Sequence, residues 1–338
     1  MALTLEENKS LVPYHTFGVQ AQAAYFVEVS SEQDLPAILG LPHSPKLILG
    51  GGSNLFFTKD FPGLVIKNSI GGIRVKEEGS DWVIVEAGGG IVWHDLVMWT
   101  INKNYGGLEN LSLIPGTVGA APIQNIGAYG VEFDTVFEEL TAFHMLTGEK
   151  VKFDRADCRF GYRDSVFKGA YKGKYIVTSV RIRLKKKNHV LALEYGDIRK
   201  ILQERNIPEP TIKDVSDAVV MIRTSKLPDP AVIGNAGSFF KNPVMQEEFY
   251  EGLLSQYPDI PSYPVGKGQR KIPAAWLIEQ AGWKGFRQGD AGVYDKHALV
   301  LVNHGSATGV EMHQLATAIK TSIEDIFGIT LESEVNMI

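Results

Sequence analysis

The sequence predicts an α+β protein of more than one domain, and three observations support this. A chain of 338 residues is longer than one hydrophobic core usually holds, so about two or three domains are expected. Short runs rich in β-branched residues alternate with glycine turns between residues 20 and 190. Beyond residue 195 helical patterns prevail. Strands followed by helices indicate the α+β class.

The N-terminal part supplies most of the predicted strands. They comprise residues 25–29, 46–49, 64–67, 82–87 and 175–184. Two helices interrupt them, one beginning near Ser31 and one over residues 91–103. Because large aromatic side chains contribute chiefly through burial, we expect Trp93 and Trp99 in the second helix to pack in the core.

The C-terminal part is predicted to be mainly helical. The predicted helices comprise residues 197–206, 214–226, 246–256, 273–281 and 310–327. Thr308 precedes the last helix and Gly328 follows it, as capping preferences require. Pro228 and Pro230 stop a helix, so a second domain is expected to begin there.

Composition excludes several classes of function. The chain is 44% hydrophobic and 22% charged, which is typical of a globular protein, and its net charge of −5 argues against a nucleic-acid surface. No uncharged run reaches the roughly 18 residues of a membrane span, and no signal peptide is recognisable. The single cysteine, Cys158, fits a reducing cytoplasm, and the scattered histidines predict no metal site.

Two glycine-rich loops are the most informative features. Residues 114–130 contain four glycines and two prolines among aliphatic residues and carry almost no charge. Residues 47–57 run from an aliphatic strand into three glycines, Ser53 and Asn54. Such loops can turn backbone N–H groups toward phosphate oxygens. Neither loop has the Rossmann or P-loop pattern, and each loop taken alone is interpreted as an ordinary glycine turn. Together the two loops favour a binding site for one dinucleotide.

Three further segments concentrate reactive side chains. Arg163 follows a glycine and Tyr162, where it can face an anion or form a local ion pair with Asp164. Ser238 lies on a glycine-flanked turn and lacks the nucleophile signature Gly-x-Ser-x-Gly, whereas as a proton donor it would need only to be within reach of the substrate. Glu332 and Glu334 lie on one side if the C-terminus is a strand, although a solvated pair is the alternative.

Five motifs in order resemble those of the UDP-N-acetylenolpyruvoylglucosamine reductase (MurB) family. They are Gly-Gly-Gly-Ser-Asn at 50–54, the loop at 114–130, Arg-Phe-Gly-Tyr-Arg-Asp-Ser at 159–165, Gly-Asn-Ala-Gly-Ser-Phe-Phe-Lys-Asn-Pro at 234–243 and Leu-Glu-Ser-Glu-Val at 331–335. The likeness covers nearly the whole chain. Residues 194–197 and 221–230 resemble the subtype that retains a tyrosine loop over the substrate.

The resemblance implies a domain plan and an activity. An FAD-binding part of the vanillyl-alcohol-oxidase/PCMH type is expected in two subdomains, residues 1–70 and 71–226. A substrate-binding α+β domain follows at 227–330, and a C-terminal strand at 331–338 returns to the active site. The family uses non-covalent FAD and the co-substrate NADPH to reduce UDP-N-acetylglucosamine enolpyruvate to UDP-N-acetylmuramate, a cytoplasmic step of peptidoglycan precursor synthesis.

The resemblance also implies residue roles. The catalytic residues are Arg163 and a protonated Glu334, which stabilise the developing anion, and Ser238, which protonates C2. The implied FAD-binding residues are Gly50, Gly51, Gly52, Ser53, Asn54, Pro115, Gly116, Thr117, Gly119, Ala120, Ile123, Asn125, Gly127 and Ile176. The implied substrate-binding residues are Tyr162, Tyr195, Arg223, Lys226, Lys241, Asn242, Tyr263, Lys271 and Lys284. A monomer is expected.

One position departs from the family, because Asn336 stands where an arginine is common. That departure weakens any prediction of a cation there. Two other functions remain alternatives at this point. A flavin-dependent oxidase of small alcohols or sugars would react with oxygen without an enolpyruvyl substrate, and a UDP-sugar binding module would be colourless.

Overall fold

The structure is a computed structural model that describes residues 4–266 and 268–338. It groups the chain into two compact units. The first unit consists of the described residues up to Lys9, of Ala23–Gly51 and of Pro62–Ser225. The second unit consists of Ser10–Gln22, Gly52–Phe61 and Lys226–Ile338. The predicted domain boundaries after residues 70, 226 and 330 stay predictions.

Among the α-helices of the described residues, α5 and α8 are the longest. They are α1 (Leu35–Leu39), α2 (Trp93–Asn102), α3 (Arg155–Cys158), α4 (Ile198–Glu204), α5 (Ile212–Lys226), α6 (Glu247–Gln256), α7 (Ala274–Gln280) and α8 (Gly309–Phe327).

The strands run through the whole described chain. They are β1 (Leu5–Ser10), β2 (Gln22–Val29), β3 (Lys46–Leu49), β4 (Leu55–Phe56), β5 (Phe61–Asn68), β6 (Ile73–Glu78), β7 (Trp82–Gly88), β8 (Gly127–Ala128), β9 (Val131–Glu132), β10 (Phe137–His144), β11 (Lys150–Asp154), β12 (Tyr175–Lys185), β13 (Gly234–Ser238), β14 (Val244–Gln246), β15 (Tyr263–Pro264), β16 (Gln269–Lys271), β17 (Arg287–Gln288), β18 (Ala291–Val293), β19 (Val300–Asn303) and β20 (Asn336–Met337).

The first unit is built on two sheets. One has the order β1-β2-β5-β3, in which β3 and β5 run parallel. The other has the order β11-β10-β12-β7-β6 and is antiparallel throughout. The apolar face of α2 covers part of the core, since Trp93, Leu96 and Val97 are buried there with strand residues of the second sheet. The predicted core position of Trp93 is confirmed, and Trp99 packs against the same core while partly buried.

The second unit is organised around buried phenylalanines. Phe17 packs against Phe56 and Phe239 with ring centroids 5.2 and 6.3 Å apart, and Phe56 lies 5.8 Å from Phe239. All three side chains are essentially inaccessible to solvent. Burial of such rings is a major source of stability. This cluster explains why two segments from the N-terminal part of the sequence fold with the C-terminal unit.

Small sheets make up the rest of the second unit. Their strand orders are β13-β19-β18-β17, β14-β16-β15 and β20-β4. Strand β20 lies within the C-terminal strand predicted at residues 331–338. The sequence did not predict the other strands, because they are two to five residues long and β13 reads Gly-Asn-Ala-Gly-Ser. Strand propensity reflects packing on a half-buried sheet more than backbone preference, so such segments leave little signal.

The predicted helices of the C-terminal part are confirmed. Helices α4 to α8 lie within about two residues of the predicted bounds. Thr308 accepts a hydrogen bond from the Glu311 amide while Glu311 binds back to the Thr308 amide, which forms a capping box. Gly328 ends α8 in the left-handed region, with φ at 67°. Within the described ranges, none of the helices combines the length and the hydropathy that crossing a membrane would require.

Loss of the Thr308 cap should destabilise the second unit measurably. We expect Thr308→Ala to lower the free energy of unfolding by about 1 kcal/mol, because the amide of Glu311 loses its acceptor. Urea denaturation of the apoprotein provides the measurement. Thr317→Ala in the same helix is the control, since the Thr317 hydroxyl only donates to the carbonyl of His313. Equal losses in the two variants would contradict the capping role.

Candidate active site

In the first unit, the peptide that joins Gly50 to Gly51 is held by its carbonyl. The Lys67 ammonium donates to the Gly50 oxygen at 2.6 Å. Lys67 reaches it because β5 pairs with β3 and sets Lys67 opposite Leu49. The carbonyl and the following N–H of a trans peptide point in opposite directions. The Gly51 N–H therefore points away from Lys67, and it donates to no other residue of the described chain.

The second glycine loop contains the same arrangement. The carbonyl of Gly116 accepts a hydrogen bond from the first amide of α2, that of Trp93, at 3.0 Å. The N–H of Thr117 consequently points the other way, and within the described ranges it has no hydrogen-bond acceptor. Thr117 is only 5% exposed. A buried N–H without an acceptor is costly, so this group favours an external acceptor.

The two loops of the first unit contact each other so closely that only glycine fits. A Cβ on Gly51 would lie 2.9 Å from the Cα of Gly116, and one on Gly50 would lie 2.7 Å from the Thr117 hydroxyl oxygen. The first contact is with backbone, which cannot turn aside as a flexible side chain can. The N–H groups of Gly51 and Thr117, which have no acceptor among the described residues, thereby lie on adjoining loops, as binding of one diphosphate would require.

The division between the units falls between Gly51 and Gly52, and the second unit continues the pattern. The carbonyl of Gly52 accepts from the Thr16 amide at 3.3 Å, which directs the Ser53 N–H to the opposite side. A Cβ on Gly52 would lie 2.0 Å from the carbonyl oxygen of Tyr14. Among the described residues, the Ser53 N–H donates to none.

The remaining residues implied for FAD have more varied surroundings. Pro115 and Ala120 are exposed, whereas Gly119 is buried and its amide donates to the Gly89 carbonyl at 2.9 Å. Ile123 is partly buried against the core, and Ile176 is fully buried in the core beneath the first sheet.

Asn125 joins three segments of the first unit. Its amide donates to the Glu132 carboxylate and to the Gly161 carbonyl, each at 3.0 Å. Its side-chain oxygen accepts from the Asp134 amide at 3.0 Å. The side chain is therefore used within the protein, and it fixes the strand that begins at Gly127. Asn125 remains an FAD-binding prediction.

Two arginines of the first unit lie near each other. The Arg163 guanidinium donates to the carbonyl of Gly127. The Arg223 guanidinium donates to the carbonyl of Leu113 at 3.1 Å. Burial lowers the pKa of Arg223, the phenol of Tyr129 opposes this, and the Arg163 cation lowers the pKa further. Because no described carboxylate forms an ion pair with either arginine, the pair is suited to bind an anion.

The Leu113 backbone is constrained just before the second glycine loop. Its φ is 57°, in the left-handed region that β- and γ-branched side chains rarely adopt. His94 accepts a hydrogen bond from the Leu113 amide at 3.0 Å, and Arg223 donates to its carbonyl. Burial lowers the pKa of His94, so its ring is available as a neutral acceptor. Strain of this kind is typical of functional loops.

The predicted tyrosines of the first unit are exposed. Tyr162 is 56% and Tyr195 59% accessible. Tyr195 lies beside the β8–β9 turn, since a Cβ added to Gly130 would lie 3.4 Å from the Cβ of Tyr195. Asn110 holds the two segments together by donating to the carbonyls of Tyr129 and Ala192 at 3.1 and 2.8 Å. The sequence analysis missed Asn110, because a lone asparagine in a loop carries no recognisable signal.

In the second unit, Ser238 is positioned by a bulge in β13. The pairing of β13 with β19 shifts between Asn235 and Ser238, and Gly237 in the bulge has φ at 70°. A glycine bulge re-aims the side chain that follows it. The next residue, Phe239, is buried and donates its amide to the Leu299 carbonyl at 2.8 Å. Ser238 is thus a half-buried hydroxyl on a fixed backbone.

The C-terminus runs directly beside this strand. The Glu334 amide donates to the Phe239 carbonyl at 2.8 Å, and Ser333 pairs with Phe240. The Asn54 side chain donates to the Glu334 carbonyl at 3.4 Å. Within the second unit, the C-terminus therefore joins the end of the first glycine loop to the segment that follows Ser238. Glu334 is half-buried, whereas Glu332 is exposed and pairs with Lys241 at 2.8 Å.

Asn336 takes part in the same arrangement. Its backbone and side-chain amides both donate to the Asn54 carbonyl, at 3.0 and 3.2 Å. Here it anchors the glycine loop through hydrogen bonds that require no charge.

Three other predicted substrate residues of the second unit are grouped by the small sheet β14-β16-β15. Tyr263 and Val244 both pair with Lys271, and Tyr263 is 55% exposed. Asn242, just before this sheet, accepts from the Ala274 amide at 2.9 Å and so caps α7.

Lys226 and Lys284 are linked electrostatically through His297. Burial lowers the pKa of the His297 imidazole, and both lysine cations lower it further. Lys284 also pairs with Glu279 at 2.9 Å. The sequence analysis missed His297, because a lone histidine far from these lysines in sequence has no motif.

The backbone of these loops fits a flavin dinucleotide. In the first unit, Gly51 and Thr117 offer N–H groups without acceptors in the described chain, and neighbouring glycines leave no room for a side chain. The oxygens of a diphosphate accept hydrogen bonds from N–H groups of this kind. The described residues contain no group of three or more His, Cys, Asp and Glu that could hold a metal ion.

Comparison with known proteins identifies both parts of the chain. A family profile of the FAD binding domain matches residues 23–151. A profile of the C-terminal domain of UDP-N-acetylenolpyruvoylglucosamine reductase matches residues 229–338. The crystal structure of that reductase from Thermus caldophilus has a TM-score of 0.67 at 24% identity, over 100% of this chain and 99% of its own, and shows the same fold. The predicted fold class is confirmed.

Full-length relatives carry the same name. The UDP-N-acetylenolpyruvoylglucosamine reductase of Chromobacterium violaceum is 51% identical over 338 residues, which cover 99% of both chains. That of Pseudomonas putida is 49% identical over 340 residues, which cover 100% of both chains. Because relatives this similar match from end to end, the chain belongs to the UDP-N-acetylenolpyruvoylglucosamine reductase family.

Proposed function

We propose that the protein uses NADPH and non-covalent FAD to reduce UDP-N-acetylglucosamine enolpyruvate to UDP-N-acetylmuramate in the synthesis of peptidoglycan precursors. The observation that carries the proposal is a sequence identity of 51% and 49%, over nearly the whole of both chains, to two UDP-N-acetylenolpyruvoylglucosamine reductases. The alternatives of an alcohol oxidase and of a binding module lack such support. When bound, FAD supplies a carrier that accepts a hydride from NADPH and passes it to C3 of the vinyl ether.

We propose that the anchored peptides of the glycine loops bind the flavin diphosphate. Within the first unit, the N–H groups of Gly51 and Thr117 need no rearrangement to donate, because their peptide planes are already fixed by Lys67 and Trp93. Within the second unit, the Thr16 amide fixes the peptide plane of the Ser53 N–H in the same way. Preorganised donors lose little entropy on binding.

The roles proposed for the catalytic residues follow from the charge that develops during reduction. Addition of hydride at C3 pushes electrons toward the substrate carboxylate. Arg163, held by the Gly127 carbonyl, stabilises that charge, and Glu334 donates a hydrogen bond to it while protonated. Ser238 gives its proton to C2, and Lys241, three residues further along the chain, is proposed to support the serine oxygen with positive charge.

The remaining cations are proposed to bind the diphosphate and carboxylate of the substrate. They are Arg223, Lys226, Lys271 and Lys284, with Asn242, Tyr162 and Tyr263 as hydrogen-bonding partners. We add His297, because burial lowers the pKa of its imidazole and the Lys226 and Lys284 cations lower that pKa further. Tyr195, which is exposed beside the β8–β9 turn, is proposed to cover the substrate as in the tyrosine-loop subtype.

We further propose that the enzyme acts in the cytoplasm as a monomer. The single buried Cys158 thiol fits a reducing compartment, since burial raises its pKa to about 12 and leaves it unreactive. Sedimentation of the FAD-loaded protein tests whether the protein is a monomer, because a dimer would have twice the mass.

Substitution of Gly51 should deplete the bound flavin. In Gly51→Ala the new Cβ would lie 2.9 Å from the Gly116 Cα, so the two loops must separate. We expect FAD affinity to fall by at least about tenfold, measured as the ratio of visible to ultraviolet absorbance and by titration of the apoprotein. Gly71→Ala is the control, because its Cβ would meet only the end of Ile91 at 3.9 Å. Full flavin occupancy in Gly51→Ala would contradict the proposed diphosphate site.

Removal of the Ser238 hydroxyl should separate the two half-reactions. Ser238→Ala should leave reduction of the flavin by NADPH within about threefold of the wild-type rate and slow reoxidation by the enolpyruvyl substrate by at least about a hundredfold, since only the latter requires protonation of carbon. Stopped-flow absorbance measures both steps. Ser255→Ala, on the exposed face of α6, serves as the control. Equal slowing of both half-reactions would exclude Ser238 as the proton donor.

A further inference from the structure

Lys67 is a cation of the first unit to which neither the family motifs nor the sequence analysis assigns a role. It lies on β5, a strand otherwise buried on most positions, and its own side chain is half-buried. Its ammonium forms one hydrogen bond among the described residues, to the Gly50 carbonyl at 2.6 Å. Burial lowers the pKa of Lys67, and the Glu28 carboxylate on the adjacent strand partly opposes that shift.

Lys67 directs a half-buried ammonium at a backbone carbonyl. A buried ammonium normally pairs with a carboxylate, which compensates its charge. Glu28 is close enough to influence Lys67, yet its carboxylate accepts instead from Ser69 at 2.5 Å. The charge of Lys67 is therefore directed at a backbone carbonyl in the glycine loop and is left without a carboxylate partner in the described chain.

The position of that carbonyl makes the contact relevant to the cofactor. The Gly50 oxygen and the Gly51 N–H belong to one planar trans peptide, so a ligand that fixes the oxygen also fixes the direction of the N–H. A charge-assisted bond to the oxygen also polarises the peptide and strengthens its N–H as a donor.

We propose that Lys67 is a positioning residue for FAD. Its ammonium orients the Gly50–Gly51 peptide for the flavin diphosphate and adds a positive charge on the carbonyl side of that peptide. The inference rests on the proposed function, because it requires the diphosphate to bind at this loop. Lys67 itself does not need to contact the flavin.

Lys46 provides a matched control in the same sheet. It lies on β3, its ammonium also donates to a backbone carbonyl, that of Leu39 at 2.5 Å, and it is partly buried. That carbonyl is at the end of α1, not in a glycine loop. Lys46→Met therefore removes an equivalent lysine–carbonyl bond without altering the Gly50–Gly51 peptide.

The test compares FAD binding by the apoproteins of the wild type, Lys67→Met, Lys67→Arg, Lys67→Gln and Lys46→Met. Titration with FAD, followed by quenching of flavin fluorescence, gives each dissociation constant at two salt concentrations. The melting temperature of each apoprotein reports whether the fold is retained.

We expect Lys67→Met to raise the dissociation constant about tenfold, with a smaller salt dependence and a melting temperature close to that of the wild type. Lys67→Arg should restore affinity to within about threefold, because its guanidinium supplies both the charge and the donor. Lys67→Gln, which supplies only a donor, should fall between them. Lys46→Met should bind as the wild type does.

Three results would overturn the inference. They are unchanged FAD affinity in Lys67→Met, a loss in Lys46→Met as large as that in Lys67→Met, and failure of Lys67→Arg to recover affinity while its apoprotein melts normally. If the wild-type apoprotein did not bind FAD, the proposed function would fail instead, so the two failures are distinguishable.

Discussion

The planarity of the trans peptide is the constraint on which the cofactor site depends. A loop of glycines has no side chains with which to bind a phosphate, so its N–H groups must point outward, and flexible backbone does not ensure this. In the first unit, the Gly50 carbonyl accepts a hydrogen bond from Lys67, and the Gly116 carbonyl accepts one from the first amide of α2. Within the second unit, the Gly52 carbonyl accepts from the Thr16 amide. Each held carbonyl fixes the N–H of the next residue, so binding of an anion requires little further ordering.

Burial of aromatic side chains fixes the backbone next to Ser238, the proposed proton donor. Phe239 follows Ser238 and packs against Phe17 and Phe56 in one cluster of the second unit. The same segment pairs with the C-terminus at Glu334. A hydroxyl is a weak acid, and it can serve a carbon centre only if its position is fixed. The cluster therefore connects the stability of the second unit to the chemistry proposed for it.

Much of the fold could be predicted from sequence, because long periodic segments carry strong signals. Helix α8 was recognisable from its apolar spacing and from Thr308 and Gly328 at its ends, and β12 from its β-branched residues. The short strands of the second unit were not, since β13 has four small residues and no periodicity. The assignment of Phe17 and Phe56 to the C-terminal unit depends on contacts between residues far apart in sequence. The catalytic and ligand-binding residues were predicted by resemblance and remain predictions, whereas Asn110, His297 and Lys67 became recognisable only from their neighbours in space.

The most direct test of the account is a crystal structure of the FAD-loaded protein that resolves the diphosphate. The account predicts phosphate oxygens about 3 Å from the amide nitrogens of Gly51 and Thr117, with the Gly50 carbonyl still bound by Lys67 and the Gly116 carbonyl by the Trp93 amide. A diphosphate bound elsewhere, or Gly50–Gly51 and Gly116–Thr117 peptides turned so that their carbonyls face the flavin nucleotide, would contradict it.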